Sequence, residues 1–365
     1  MIENSILCVS WCDADYVLNY GQILQACAMM QILRSNTNGN ISYISYFPNQ
    51  RREALKIFLK HFDFRKNYCF TYWKTRHEIR KIIKKNSIHF KQIRRHKCLD
   101  RYAEGIDIMF CGSDQLWHPT NYDRAYYLKF GNQDIIRVSY AASMPKTKRE
   151  PMFEEQYCKI SDDIKSIDFI SVRECGSINL VSSLSGQRVI SVLDPTYLVK
   201  KEMWENMCSV IATPERYIFV YVPNGMDEKL VQIVNYIKDK LQAYELMILG
   251  TRGDNLFPDS DTIDFVSVGQ FLYLIKNASY VITSSFHATV FSTIFHRNFW
   301  CYDVPNDSRG EDIRLNDLLG KLQLSNRCVS DLVNINLSDI DFNLIDLCLS
   351  DEIKESNAFL EAAFR

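Results

Sequence analysis

One stretch constrains the fold more than any other. Between Ser279 and Phe295 a short apolar run, Tyr280–Thr283, passes through Ser284 and Ser285 directly into a segment of helical periodicity. A buried strand that feeds straight into a helix is the repeating unit of parallel α/β sheets. Its turn directs orphan backbone N–H groups and the positive end of the helix dipole outward, a ready anion site. Ser284 or Ser285 is the expected N-cap. His287 falls in the first helical turn, where an imidazole can exchange a proton with a bound anion. A packed corner suits the same residues, because Phe286, Val290, Phe291, Ile294 and Phe295 form an apolar stripe.

The same unit recurs along the chain. Ile6–Trp11 reads as a strand, followed by a helix with Asn19 as cap, Gly21 leaving the backbone open, and Leu24, Cys27, Ala28 and Ile32 at helical spacing. Ile41–Phe47 is a second strand, ended by Pro48. Ile106–Cys111 is a third, and it delivers Gly112-Ser-Asp-Gln-Leu-Trp-His-Pro to its carboxyl end, where open α/β sheets bind ligands. There Gly112 permits close backbone approach, Ser113, Asp114 and Gln115 offer groups to sugar hydroxyls, and Trp117 is a flat face for a sugar. Pro119 is expected to keep a helix from starting. Strands at Ile135–Ala142, Phe169–Glu174 and Val189–Leu193 follow, with a helix over Glu154–Ile164. Arg173 then ends a strand, placed either to pair with a carboxylate such as Glu174 or to fork onto phosphate, and Asp194 ends the next.

After a crossing at Trp204–Pro214 the pattern restarts. Strands are expected at Tyr217–Val222, Leu246–Leu249, Ile263–Val266, Tyr280–Thr283 and Phe299–Tyr302, and helices at Glu228–Leu241, Gly269–Ala278 and from Arg314. Ser325–Arg327 reads as a closing loop. Strands alternating with helices in both halves predict an α/β protein of two Rossmann-like domains facing a cleft. The first covers residues 1–205, with a basic helical insertion at 51–101; the second covers 206–344, and a C-terminal helix, 345–365, crosses back to the first.

Composition narrows the class. A chain of 365 residues supports two cores, and no run of 18 apolar residues exists to cross a membrane. Met1-Ile-Glu-Asn lacks the basic and apolar regions of a signal peptide. The 12 cysteines are scattered singly, with no Cys-x-x-Cys and no zinc-like spacing, which fits a reducing cytoplasm and buried thiols such as Cys8, Cys111 and Cys301. Net charge is −1, yet Arg51–Arg101 holds 17 Lys+Arg against 4 Asp+Glu and four of the seven histidines. Ala54–Phe62 and Thr75–Ile83 there read as amphipathic helices projecting from the first domain. Zinc-finger spacing and RNP-like aromatics are lacking, so nucleic acid is not the expected anion. A membrane surface or a lipid diphosphate is, with peripheral contact at the inner face of the membrane.

Taken together, the motifs make the chain resemble the polysaccharide pyruvyl transferases. They are Asn19-Tyr-Gly with Leu24-Gln-Ala, Gly112-Ser-Asp-Gln-Leu-Trp-His-Pro, Ser139-Tyr-Ala-Ala-Ser, Ile170-Ser-Val-Arg-Glu, Leu193-Asp-Pro-Thr, Ala278–Phe295, and Arg314 with Leu318-Leu and Arg327. They span roughly residues 6 to 327 in the family's order. The resemblance implies a fold like that of GT-B glycosyltransferases and transfer of the pyruvyl group of phosphoenolpyruvate to a sugar of a surface polysaccharide or its lipid-linked precursor. The family's Ser-Phe-His-Gly, or Ser-Arg-Leu-His-Gly, here reads Ser285-Phe-His-Ala288, with a methyl beside the helix N-terminus. It implies His287 as general acid, Arg173 as partner of the donor's anion, Asp114 as base for a sugar hydroxyl, and Asn19, Gly21, Gly112, Ser113, Gln115, Trp117, Asp194, Ser284, Ser285 and Arg314 around the substrates. Phosphoenolpyruvate is then a substrate, and no metal or other cofactor is expected. A rival reading is a GT-B glycosyltransferase using a nucleotide sugar; against it, no carboxylate is clearly placed to grip a ribose after the His287 helix, where Asp303 and Glu311 are the only nearby options. A non-catalytic binder of glycans or lipid diphosphates is the other.

Overall fold

Strands buried on both faces read as unbroken apolar runs, and the central strands of this chain are written that way, from Ile-Met-Phe-Cys to Tyr-Ile-Phe-Val-Tyr. The structure, a computed structural model, describes residues 3–12, 19–48, 66–144, 154–223, 226–242, 244–250, 257, 260–263, 265–302, 313–333 and 335–365. The described residues divide into two units. One runs to Val199, apart from Lys66–Thr75, and takes in Asp351–Arg365; the other comprises Lys66–Thr75 and Lys200–Ser350.

In the first unit the elements are β1 (Ile6–Ser10), α1 (Tyr20–Asn36), β2 (Ile41–Tyr46), α2 (Lys66–Lys85), β3 (Ile88–Ile93), β4 (Ile108–Cys111), β5 (Ile136–Ala142), α3 (Glu154–Ile164), β6 (Phe169–Val172), α4 (Ile178–Ser185) and β7 (Ile190–Ser191), with α2 shared as stated above. They build a seven-stranded sheet in the order β3-β2-β1-β4-β5-β6-β7, parallel throughout. β1 lies inside the sheet, with Ile6 beside both Ile41 and Ile108. Leu7, Val9, Met109 and Cys111 are fully buried in one core with Trp117, Tyr127 and Val172.

The second unit contains α5 (Lys201–Met207), β8 (Tyr217–Tyr221), α6 (Glu228–Leu241), β9 (Glu245–Leu249), β10 (Asp261–Ile263), α7 (Val268–Asn277), β11 (Tyr280–Thr283), α8 (Phe286–Ile294), β12 (Asn298–Tyr302), α9 (Ile313–Lys321) and β13 (Cys328–Val329). Its six strands lie parallel in the order β10-β9-β8-β11-β12-β13. α6 is capped by Asp227 and buries Leu230, Ile233, Val234 and Ile237, the i, i+3, i+4, i+7 face of an amphipathic helix. α7 opens on a capping box between Ser267 and Gln270. The last helix, α10 (Phe342–Phe364), contributes its part from Asp351 onward to the first unit, where Phe364 meets Phe110 and Phe359 meets Tyr140.

Several expectations need correction. The basic segment is not only helical: β3 lies within it and pairs with β2 as the edge of the first sheet. The expected helix Ala54–Phe62 lies outside the described residues. α5 falls in the second unit, because the fully buried Trp204 packs edge-on against Phe291 at 5.1 Å. β10 comes earlier than Ile263–Val266, and Ser325–Arg327 leads into a short strand, β13. Pro119 does not prevent a helical turn; it begins a 3-10 turn, Pro119–Asn121, at the one position where its missing N–H costs nothing. Among the described residues no helix is long and apolar enough to cross a membrane.

Candidate active site

Ligands of open parallel sheets bind beyond the carboxyl ends of the strands, where the strand order reverses. The reversal falls between β1 and β4 in the first sheet and between β8 and β11 in the second. Both positions are occupied by candidate residues. Gly112, Ser113 and Asp114 follow β4, and Ser284, Ser285 and His287 follow β11.

At the second position the turn is fastened to both strands. The Thr283 hydroxyl donates to the Tyr221 carbonyl of β8 at 2.5 Å and accepts from the Ser285 N–H at 3.0 Å. Ser285 is the N-cap of α8, its Oγ accepting from the Ala288 N–H at 3.4 Å. Thr289 donates both its N–H and its hydroxyl to the Ser285 carbonyl, at 3.0 and 3.1 Å. His287 is 7% exposed and meets the Phe286 ring edge-on, centroids 5.2 Å apart. From α9, Arg314 sets its guanidinium 5.6 Å from the centre of the same ring, a cation–π distance. Ser284 is buried, and Ala288 is fully buried within α8. One corner thus gathers an imidazole, two hydroxyls, a helix N-terminus and a guanidinium, a set suited to holding an anion and passing it a proton.

At the first position the residues hold one another. Gly112 has φ +124°, and a Cβ there would lie 2.1 Å from the Tyr140 carbonyl oxygen. The close approach this glycine allows is therefore to the backbone of β5. The Gly112–Ser113 peptide is cis. Arg173, at the end of β6, places Nη2 2.6 Å from Asp194 Oδ2, with both side chains almost wholly buried. The same Nη2 donates to Ser113 Oγ, which lies 3.3 Å from the Ala141 carbonyl. Asp194 Oδ1 also accepts from the Thr196 N–H at 3.0 Å and hydroxyl at 2.6 Å. Arg173 and Asp194 are thus partners of each other at the sheet's end: of the two placements the sequence left open for Arg173, this is the carboxylate pairing, made with Asp194 rather than Glu174. Burial pushes the Tyr140 phenol up, so it stays a neutral donor to the Leu193 carbonyl at 3.0 Å.

The remaining candidates separate. Asp114 takes φ +86°, bridges to Ala142 and is 7% exposed, while Gln115 is half-buried. Trp117 offers no face to a sugar. It is fully buried, stacked on Tyr127 at 5.4 Å, with its indole N–H on the Tyr126 carbonyl at 2.9 Å. Asn19 caps α1 through the Gln22 N–H, and Gly21 is packed inside that helix. Asp303 and Glu311 lie outside the described residues.

Two buried residues, Gln25 of the Leu24-Gln-Ala motif and Glu174 beside Arg173, were not among the candidate site residues. Gln25 donates to Ser10 Oγ and to the Trp11 and Gln22 carbonyls, and accepts from the Ser113 N–H at 3.3 Å, so it ties α1 to β1 and to the loop after β4. Glu174 accepts at one oxygen from the Ser143 and Ser177 hydroxyls and the Met144 N–H. Their visible signal was a polar residue inside an apolar helix face and an acid directly after a buried strand. Among the described residues no group of three His, Cys, Asp or Glu is placed to hold a metal ion.

Two parallel sheets, each with polar residues at its point of order reversal, form the GT-B fold. Solved structures that share it include UDP-GlcNAc 2-epimerase from Neisseria meningitidis bound to UDP-GlcNAc, 10% identical with TM-score 0.53 over 98% of this chain and 94% of that one. The UDP-GlcNAc 2-epimerase from Methanocaldococcus jannaschii is 11% identical, with TM-score 0.51 over 95% and 92% of the two chains. At such identities the likeness is one of fold alone. No curated protein sequence matches the chain. The family described as polysaccharide pyruvyl transferase matches residues 19–306, and the chain belongs to it. It is thereby a member of a transferase family.

Proposed function

We propose that the protein transfers the pyruvyl group of phosphoenolpyruvate to a sugar of a surface polysaccharide or its lipid-linked precursor, as a ketal bridging two hydroxyls, with release of phosphate. The observation that carries this reading is the β11–α8 corner, where His287 stands beside a capped helix N-terminus and the Arg314 guanidinium. The second unit holds the donor and the first the acceptor. Protonation of the donor's methylene carbon by His287 leaves an oxocarbenium-like C2. One sugar hydroxyl adds to C2, phosphate departs with the C2–O electron pair, and a second hydroxyl closes the ring. General acid catalysis of this kind contributes on the order of 10²–10⁴ in rate. The helix N-terminus and Arg314 take the donor's charges. Asp114 serves as base for the attacking hydroxyl, and Arg173, committed to Asp194, positions the strand ends around it. The scheme uses no cofactor.

The test is phosphate release from phosphoenolpyruvate in the presence of a lipid-linked oligosaccharide, with mass spectrometry of the glycan. His287→Gln should lower the rate on the order of 10²–10⁴-fold while the protein still binds phosphoenolpyruvate. A variant as fast as the parent would remove His287 from the chemistry. Thermal stabilisation by a nucleotide sugar and none by phosphoenolpyruvate would favour a glycosyltransferase instead.

A further inference from the structure

The first unit contains a recess that the scheme above does not use. It has about 380 Å³ of empty space, open to solvent, and is lined by Cys12, Arg76, Ile79, Arg80, Ile83, Phe90 and Gln92. Three elements build it. Arg76, Ile79, Arg80 and Ile83 recur at the i, i+3, i+4, i+7 spacing that places side chains on one face of α2. Phe90 and Gln92, two apart on β3, share one face of the sheet's edge strand. Cys12 lies just beyond the carboxyl end of β1. Through Cys12 the recess reaches the carboxyl-end side of the sheet, the side that also carries the loop after β4 with Ser113 and Asp114.

Its chemistry is divided. Ile79, Ile83 and Phe90 supply an apolar floor, and two guanidiniums one helical turn apart supply positive charge. The lining residues among those described include no carboxylate. Guanidinium forks match phosphate oxygens, and a pair one turn apart spans two phosphoryl groups better than one. Spacing adds a constraint. β3 and β4 are three strands apart in the order β3-β2-β1-β4, or about 14 Å at ordinary strand separation. A diphosphate seated among the arginines would thus leave room for one or two sugar rings before Asp114.

We infer that this recess binds the diphosphate of a glycosyl diphosphate, with its glycan directed along the sheet edge toward the loop after β4. The direction of the glycan rests on the function proposed above; the anion site rests on the recess itself. The distinction can be measured. Isothermal titration with inorganic pyrophosphate, with UDP-N-acetylglucosamine and with a farnesyl-diphosphate-linked N-acetylglucosamine reads the site directly. Binding of all three locates the diphosphate as the recognised group. Tightest binding of the farnesyl compound adds the lipid-linked source, and tightest binding of the uridine compound adds the nucleotide source. Arg80→Gln and Arg76→Gln should each weaken pyrophosphate binding on the order of tenfold. They should leave phosphoenolpyruvate binding unchanged, whereas His287→Gln should leave pyrophosphate binding unchanged. Gln92→Trp, at an exposed rim position, should block the recess without touching a charge. Pyrophosphate binding that is absent, or equal in the parent, both arginine variants and Gln92→Trp, overturns the site even if pyruvyl transfer is confirmed.

Discussion

At the scale of single residues, the first unit's strand ends are held by one buried ion pair. Arg173 and Asp194 have side chains 2% and 0% exposed, so the charges were taken out of water and are compensated mainly by each other and by Ser113, Thr196 and their backbone. Such a pair is costly to break and cheap to replace. Asp194→Leu should destabilise the first unit by about 3–5 kcal/mol, and adding Arg173→Met should recover most of that loss. Calorimetry of the two variants decides the matter: a double variant no more stable than the single would mean that Arg173 is not what Asp194 compensates. Much of this site could be read from residue types alone, since Gly112, Ser113, Arg173 and Asp194 all stand directly after apolar runs. Their direction could not. Whether Arg173 meets a ligand or Asp194 depends on two strand ends lying side by side, a relation 21 residues of chain do not express. Trp117 failed for a similar reason. Its neighbours Ser113, Asp114 and Gln115 are polar, yet its ring is taken by Tyr127.

At the scale of elements, β1, α1 and β4 are pressed together around three thiols. Cys8, Cys27 and Cys111 are wholly buried, and desolvation pushes each well above the ordinary thiol range, chiefly because a thiolate there would lose its water. The folded protein thus keeps protons that the unfolded chain releases above about pH 8.5. Their contribution to stability is complete below that pH and is lost as pH rises, at about 1.4 kcal/mol per pH unit for each thiol. Urea midpoints should fall between about pH 7.5 and about pH 9.5, and Cys27→Ala should make the fall shallower. Equal slopes for parent and variant would show that this thiol does not carry the effect. The central strands were easily read, being apolar without interruption. β3 was not, because Ile88-His-Phe-Lys-Gln-Ile alternates only in part and lies in a run of lysine and arginine that resembles a solvated helix. β13 is two residues long, too short for any periodicity to register.

At the scale of the whole molecule, the last helix closes the first unit. Ser356 accepts from the Leu193 N–H at 2.9 Å, and Leu360, Ala363 and Phe364 are buried against that unit's core. Removing residues 351–365 would expose Phe110 and Tyr140 and forfeit the burial of Leu360 and Phe364, together on the order of 5 kcal/mol. The truncated chain should unfold at a lower temperature in scanning calorimetry and bind an apolar dye. An unchanged profile would mean that the helix is an accessory. The edges of the two sheets differ in a way that bears on the basic segment. β7, β10 and β13 end their sheets with only two, three and two residues. β3 is the one long edge among the described residues, with six, and it exposes His89, Lys91 and Gln92. A long bare edge invites a second chain to add a strand, and charge along it deters that. On β3 that charge is carried by Lys91, so the longest edge among the described residues holds, in its own sequence, a side chain of the kind that deters strand addition.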